Sequence, residues 1–322
     1  ETGIRAAGGL RSDNRETRQP FWDRWIRSAG HWVRSAAYFP DDTVGWIPAA
    51  LARAIELHMQ HRFDLVYTTS PPRSALVIGL LLKRRLGIPW VAEFQDPWYP
   101  PSRPWRRWSE RALLRPILTT ADAVITTCKG LAREFEQSYG IPGNKLTVIN
   151  NGYEENDFSA ADGRRSEFLA PGYFHFSHFG TVYPGFSGCF FDALKALFRE
   201  SPELRDRVRV NVVGFPDETV RQAASDAEFQ GIVRLQGFVD HAMAITAMRS
   251  SDCLLIFLGN REVARLAVAG KTYEYLRAGR PILAVTYNGD TVELIRESQA
   301  GWAVSPDDTQ AIQQALRDAV SH

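Results

Sequence analysis

The sequence predicts an α/β fold built from two doubly wound, parallel-sheet domains, and three observations carry that prediction. From Phe63 onward, short runs rich in β-branched and aromatic residues alternate with helical stretches, the pattern of parallel βαβ units. Glycines recur where those runs end, at Gly180, Gly214, Gly237 and Gly259, on the edge where such sheets hold ligands. The chain has 322 residues, 44% of them hydrophobic, enough to bury two cores.

In the first half, strands are expected at 65–69, 90–94, 123–126 and 146–149, with helices beginning near Pro72, Trp105 and Lys129. Ahead of them, 21–37 and 47–60 read as helices, with no strand before them. A doubly wound sheet grows from a central first strand, so the first domain is expected to be incomplete, an opening strand having been lost. Asn150-Asn151-Gly152 tolerate left-handed backbone and begin a polar stretch through Arg165. That break divides the chain into domains at 4–152 and 153–322. The second half restarts with strands at 173–179, 208–213, 233–235, 253–257, 282–285 and 302–304, with helices between them and a last helix at 307–320.

Charge gives no argument for nucleic acid, since 38 basic residues stand against 37 acidic ones for a formal net charge of +1. Cys128, Cys189 and Cys253 are far apart and lack metal-ligand spacing, so they read as reduced, buried thiols of a cytosolic protein. No apolar run approaches the roughly 18 residues that cross a bilayer, and nothing at the start resembles a signal peptide. Glu1-Thr2-Gly3 reads as a cloning remnant and stays out of the fold argument.

Residues 270–283 say most about chemistry, because they place Lys271 and Glu274 at the start of a helix that runs into a strand. A cation there is disfavoured by roughly 0.3–1 kcal/mol unless an anion is present. A phosphate would supply the anion, and Glu274, one turn on, would accept from ligand hydroxyls as acidic residues do with ribose. The plain alternative is a solvated lysine and a glutamate that favours the first turn.

Several motifs together resemble the retaining glycosyltransferases of family 4, with the GT-B fold. They are Asp64-Leu65-Val66-Tyr67-Thr68-Thr69-Ser70-Pro71-Pro72, Trp90-Val91-Ala92-Glu93-Phe94-Gln95-Asp96-Pro97-Trp98, Ala121-Asp122-Ala123-Val124-Ile125 and the hinge Val148-Ile149-Asn150-Asn151-Gly152-Tyr153. The Lys-x-x-Glu-Tyr-Leu-x-x-Gly-x-Pro segment at Lys271 completes the set, and the likeness runs from about Pro40 to Asp308. The resemblance implies two Rossmann-like domains facing a cleft, a nucleotide-sugar donor on the second and a saccharide or lipid-linked acceptor on the first. It assigns Lys271 and Thr272 to the diphosphate region, Glu274 to the ribose and Gly180-Thr181 to the phosphates. Asp96 and Glu93 become the catalytic-side carboxylates, and Ser70 and Trp98 the acceptor side. It also implies catalysis with no bound metal and no cofactor, so cations and helix ends would stabilise the departing diphosphate.

Some positions depart from that pattern. No cation follows the Gly180-Thr181 turn, and the first glutamate of the family's spaced pair falls on Leu266. Glu93 and Gln95 stand where the family often has Asp and Arg, so Arg261 or Arg265 is expected to supply the missing positive charge. Asp96 before Pro97 also reads as a plain turn residue, and His175 and His178, on opposite faces of one strand, read as core histidines. Aromatics interleave with arginines over 98–108 and again at Trp22, Arg24, Trp25, Arg27, Trp32 and Arg34, a mixture suited to an anionic membrane surface. The rival to a transferase is a binding protein with a decayed GT-B site; a sugar-nucleotide epimerase of the same architecture is more distant.

Overall fold

The computed structural model describes residues 39–98, 104–161, 163 and 165–321, and for 104–106 the backbone alone. The expected helix at 21–37, with Trp22, Trp25 and Trp32 and their arginines, lies outside the described residues, as do 99–103 and the side chains of Trp105 and Arg106.

The first domain runs α1 (Ile47–His61), β1 (Val66–Ser70), α2 (Arg73–Leu86), β2 (Trp90–Phe94), α3 (Pro104–Thr120), β3 (Ala123–Thr126), α4 (Lys129–Tyr139) and β4 (Leu146–Val148). Its four strands are parallel and lie side by side in chain order. Right-handed crossovers between strands in that order put α2, α3 and α4 on one face. The sequence obeys this: Trp90, Ala92 and Phe94 are buried, whereas Val91 and Glu93 between them are half-buried. Among the described residues β1 is an edge strand, and Tyr67 on it is 51% exposed.

The second domain runs α5 (Glu155–Ala160), β5 (Phe174–Phe179), α6 (Gly188–Glu200), α7 (Leu204–Arg207), β6 (Val208–Val213), α8 (Glu218–Ser225), β7 (Val233–Gly237), α9 (His241–Ser250) and β8 (Cys253–Leu258). It continues with α10 (Arg261–Leu266), α11 (Lys271–Ala278), β9 (Ile282–Thr286), α12 (Asp290–Glu297), β10 (Gly301–Val304) and α13 (Thr309–Ser321). The six parallel strands lie in the order β10-β9-β8-β5-β6-β7, so the winding reverses between β5 and β8. Both faces are covered, so β8 and β9 read as nearly continuous apolar runs, and in β5 even the polar His175, Ser177 and His178 are buried. One core packs Phe176, Val210 and Phe190, and the other packs Phe179, Ile256 and Tyr275, with Phe158 of α5 joining the latter.

The carboxyl ends of the two sheets face each other. Asn150, past β4, donates to the Tyr273 hydroxyl at 3.2 Å, and the Cys128 thiol donates to the Leu266 carbonyl at 3.1 Å. The start of α4 docks on the second domain: the buried Asp290 carboxylate accepts from Gly130 N at 2.8 Å and from Arg133 at 3.1 Å. A side chain at Gly130 has no room, because a Cβ there would stand 1.8 Å from the Arg265 carbonyl oxygen. Burial pushes the Cys128 thiol up to about 11 and Cys253 higher still, so neither is a thiolate at neutral pH.

Candidate functional site

Where the winding reverses, β5 ends at Phe179 and the chain turns through Gly180 at φ 97°, in the left-handed region. The turn after β6 packs against it: Val182 N donates to the Phe215 carbonyl at 2.9 Å, and a Cβ on Gly214 would stand 2.6 Å from the Gly180 oxygen. These turns and the starts of α9 and α11 enclose a pocket of about 400 Å³, within the range of small-molecule sites. Gly180, Thr181, Lys271, Glu274 and His241 are its polar lining, Val213, Ala244 and Met248 part of its apolar wall, and Phe215 and Phe238, 60% and 80% exposed, its rim.

Lys271 is half-buried and lines this pocket. Its Nζ lies 3.0 Å from Nε2 of His178 and 3.4 Å from where a Cβ on Gly180 would be. Among the described residues it forms no ion pair. Burial lowers its pKa to about 8, the nearby Glu274 charge pulling the other way, so it is a cation at neutral pH. His178 is pushed down to about 3, first by burial and then by the Lys271 charge, against the pull of the Leu255 and Thr181 carbonyls. Burial and the neighbouring Asp157 raise Glu274, whereas His241, 3.7 Å away, and Lys271 oppose the rise. A half-buried ammonium with no ion pair among the described residues, beside a carboxylate and two glycine turns, has the chemistry to take an anion that also carries hydroxyls.

The other expected residues divide. Gly180, Thr181, Lys271 and Glu274 come together. Thr272 does not line the pocket: it is wholly buried, and its hydroxyl has no partner among the described residues. Arg261 and Arg265 do not reach it either. α10, capped by Asn260, turns Arg261 onto Asp307 at 2.6 Å and over the Tyr287 ring, and Arg265 onto Glu134 of the first domain at 2.8 Å. The expected free helix end is also partly closed, since Thr272 N donates to Ala269 O and Tyr273 N to Gly270 O. The ammonium, more than the helix terminus, therefore carries the site's positive charge.

On the first domain, Asp96 stands exposed just past β2. Glu93 accepts from the Tyr67 hydroxyl, a bond that together with burial raises the tyrosine pKa. Ser70 is buried, its carbonyl accepting from Gln95 N at 2.9 Å. Trp98 is half-buried under the Arg73 guanidinium, 5.0 Å from its ring, with its indole N–H unpartnered among the described residues. Sequence reasoning missed His178 as part of the site; the signal present was its place two residues before the Gly180 turn.

Two Rossmann-like domains with facing strand ends, the second carrying such a pocket at its own sheet edge, define the GT-B class. Solved structures agree: an Anabaena protein, HepE, in complex with UDP superposes with a TM-score of 0.62 at 20% identity, over 84% of this chain and 72% of its own. The trehalose-6-phosphate protein from E. coli bound with UDP-2-fluoro glucose gives 0.64 at 14% identity, over 85% and 70%. A sucrose-phosphate synthase from Thermosynechococcus elongatus gives 0.63 at 15% identity, over 87% and 70%. Residues 9–152 match the family model described as glycosyl transferase 4-like domain, and residues 183–322 match glycosyl transferases group 1. The chain belongs to the family 4 glycosyltransferases of GT-B fold. D-inositol 3-phosphate glycosyltransferases of Streptomyces scabiei and Streptomyces avermitilis are each 25% identical over 218 residues, 63% of this chain and 47% and 45% of their own. The chain thus spans about half the length of these curated relatives.

Proposed function

We propose that this protein transfers a sugar from a nucleotide-sugar donor to a saccharide or lipid-linked acceptor, with retention of configuration, in the making of a cell-surface glycan. The domain up to Gly152 takes the acceptor and the one from Tyr153 takes the donor. The observation that carries this reading is the half-buried Lys271 ammonium, which has no carboxylate partner among the described residues and lines a pocket shared with Glu274. In this assignment the ammonium meets the donor diphosphate and stabilises the charge that builds on it as the sugar leaves. Glu274 accepts from the ribose hydroxyls, the Gly180-Thr181 turn lets backbone approach the phosphates, and the Phe215 and Phe238 rings pack the base. Exposed Asp96 is the acceptor-side carboxylate, with Glu93, Ser70 and Trp98 shaping that wall. Neither metal nor cofactor takes part in this scheme. Relatives of the fold solved with UDP or a UDP sugar support the donor class.

Among the described residues no helix is long and apolar enough to cross a membrane. Trp108, 73% exposed on α3, supports peripheral contact with an anionic cytoplasmic membrane face, where a lipid-linked acceptor would lie.

A second reading, a GT-B binding protein without transfer, is favoured by Leu266 at the first glutamate position and by the engagement of Arg261 and Arg265 elsewhere. Incubation with a panel of nucleotide sugars and glycan acceptors separates the two. A transferase releases nucleoside diphosphate in an acceptor-dependent way. Binding of a nucleotide with release no faster than in buffer would leave only the second reading.

A further inference from the structure

The parallel ladder between β5 and β8 stops at Ser177 and Leu254. Continued by one step, it would set the Phe179 N–H on the Leu255 carbonyl. Instead Phe179 N donates to the Tyr275 hydroxyl at 2.9 Å, and the Leu255 carbonyl lies 2.9 Å from Nδ1 of His178. Of the two carbonyls that act on the ring, Leu255 and Thr181, the one within hydrogen-bond distance is Leu255, and a carbonyl only accepts, so Nδ1 carries the ring proton and Nε2 keeps a lone pair. An ammonium only donates, so the 3.0 Å contact runs from Lys271 Nζ to Nε2. The imidazole is wholly buried and stacked on Phe257 with centroids 5.3 Å apart, so the acceptor is fixed in place.

The geometry points to His178 as a positioning residue of the donor site: its neutral Nε2 holds the Lys271 ammonium beside Gly180, leaving two N–H groups to face the diphosphate. This assignment rests on the donor reading above and deepens it. The lysine stem has four carbons and many rotamers, so an ammonium without an acceptor would have to be ordered when the ligand arrives. A histidine suits the place because a carboxylate there would neutralise the cation, whereas a neutral ring leaves its charge for the ligand. The strong depression of the His178 pKa keeps the ring in that state. The other charged or titratable groups around the ammonium are Glu274 on its own helix, with His241 of α9 and Asp157 of α5 behind it.

The test uses the full chain with His178→Phe, which keeps the ring's bulk without an acceptor, and His178→Gln, which restores one. Binding of UDP, GDP and ADP is measured by calorimetry at pH 7. The Phe variant is expected to bind the preferred diphosphate about tenfold more weakly, and the Gln variant within about threefold of wild type. Unchanged affinity in the Phe variant would overturn the assignment. Two ligand-free readouts keep it separate from the donor reading, which alone fails if wild type binds none of the three. NMR of lysines labelled at Cε should show Lys271 titrating about one pH unit lower in the Phe variant and near wild type in the Gln variant. In 15N-histidine spectra of the unmutated protein His178 should be the Nδ1–H tautomer, and an Nε2–H tautomer would overturn the proposal even if no variant folds.

Discussion

Replacing Lys271 by Met keeps most of the apolar stem and removes the ammonium. Burial lowers the ammonium pKa from 10.5 to about 8. Each pH unit of that displacement is worth about 1.4 kcal/mol, so holding the cation in place costs roughly 3 kcal/mol of folding free energy at neutral pH. The sign follows from proton counts. Between pH 8 and 10.5 the unfolded chain keeps a proton that the folded chain has released, so stability rises with pH across that window and the deficit is full below it. The Met variant escapes the deficit but leaves Nε2 of His178 without its donor, which returns about 1 kcal/mol. The net gain of about 1–2 kcal/mol should raise the melting temperature of the ligand-free protein by about 3–6 °C in a domain of this size. Scanning calorimetry at pH 7, with and without nucleoside diphosphate, reads both halves of the argument: higher melting without ligand, and no further rise with it. A ligand-free Met variant that melts below wild type would refute the reasoning, because the ammonium would then be a stabilising group rather than one held ready for an anion.

Glu274→Gln should weaken a nucleoside diphosphate about tenfold while leaving its 2′,3′-dideoxy analogue unchanged; equal losses for the two in calorimetry would remove Glu274 from the ribose. Gly130→Ala should part the two domains, since its Cβ would meet the Arg265 oxygen at 1.8 Å and neither backbone can yield. Small-angle scattering should then show a larger radius of gyration and urea unfolding a loss of about 1–3 kcal/mol, whereas wild-type values in both would contradict the docked seam.

Strands were legible wherever burial is set by local pattern. Among the described residues helices cover one face of the sheet that holds 90–94, and that run alternates in burial; both faces are covered at β8 and β9, and those runs are almost wholly apolar. Lys271 and Glu274 were legible for a similar reason, since a cation at a helix start is locally anomalous. The arginines were not. Arg265 meets Glu134 131 positions away and Arg261 meets Asp307 46 positions away, pairings that no local spacing encodes. His178 sits between Ser177 and Phe179 in a buried strand and reads as core until the strands are seen to separate beside it. The helix end looked open because the preceding turn, through the Ala269 and Gly270 carbonyls, leaves no mark in composition.

The central claim is that the charged form of Lys271 holds the donor diphosphate. Its most direct test is the affinity for the preferred nucleoside diphosphate at pH 7 and at pH 9.5, in wild type and in Lys271→Met. With a group that loses its proton near pH 8, wild type should bind about 30-fold more weakly at the higher pH, and the Met variant weakly at both. Equal affinity at the two pH values in wild type, or wild-type affinity in the Met variant, would contradict it.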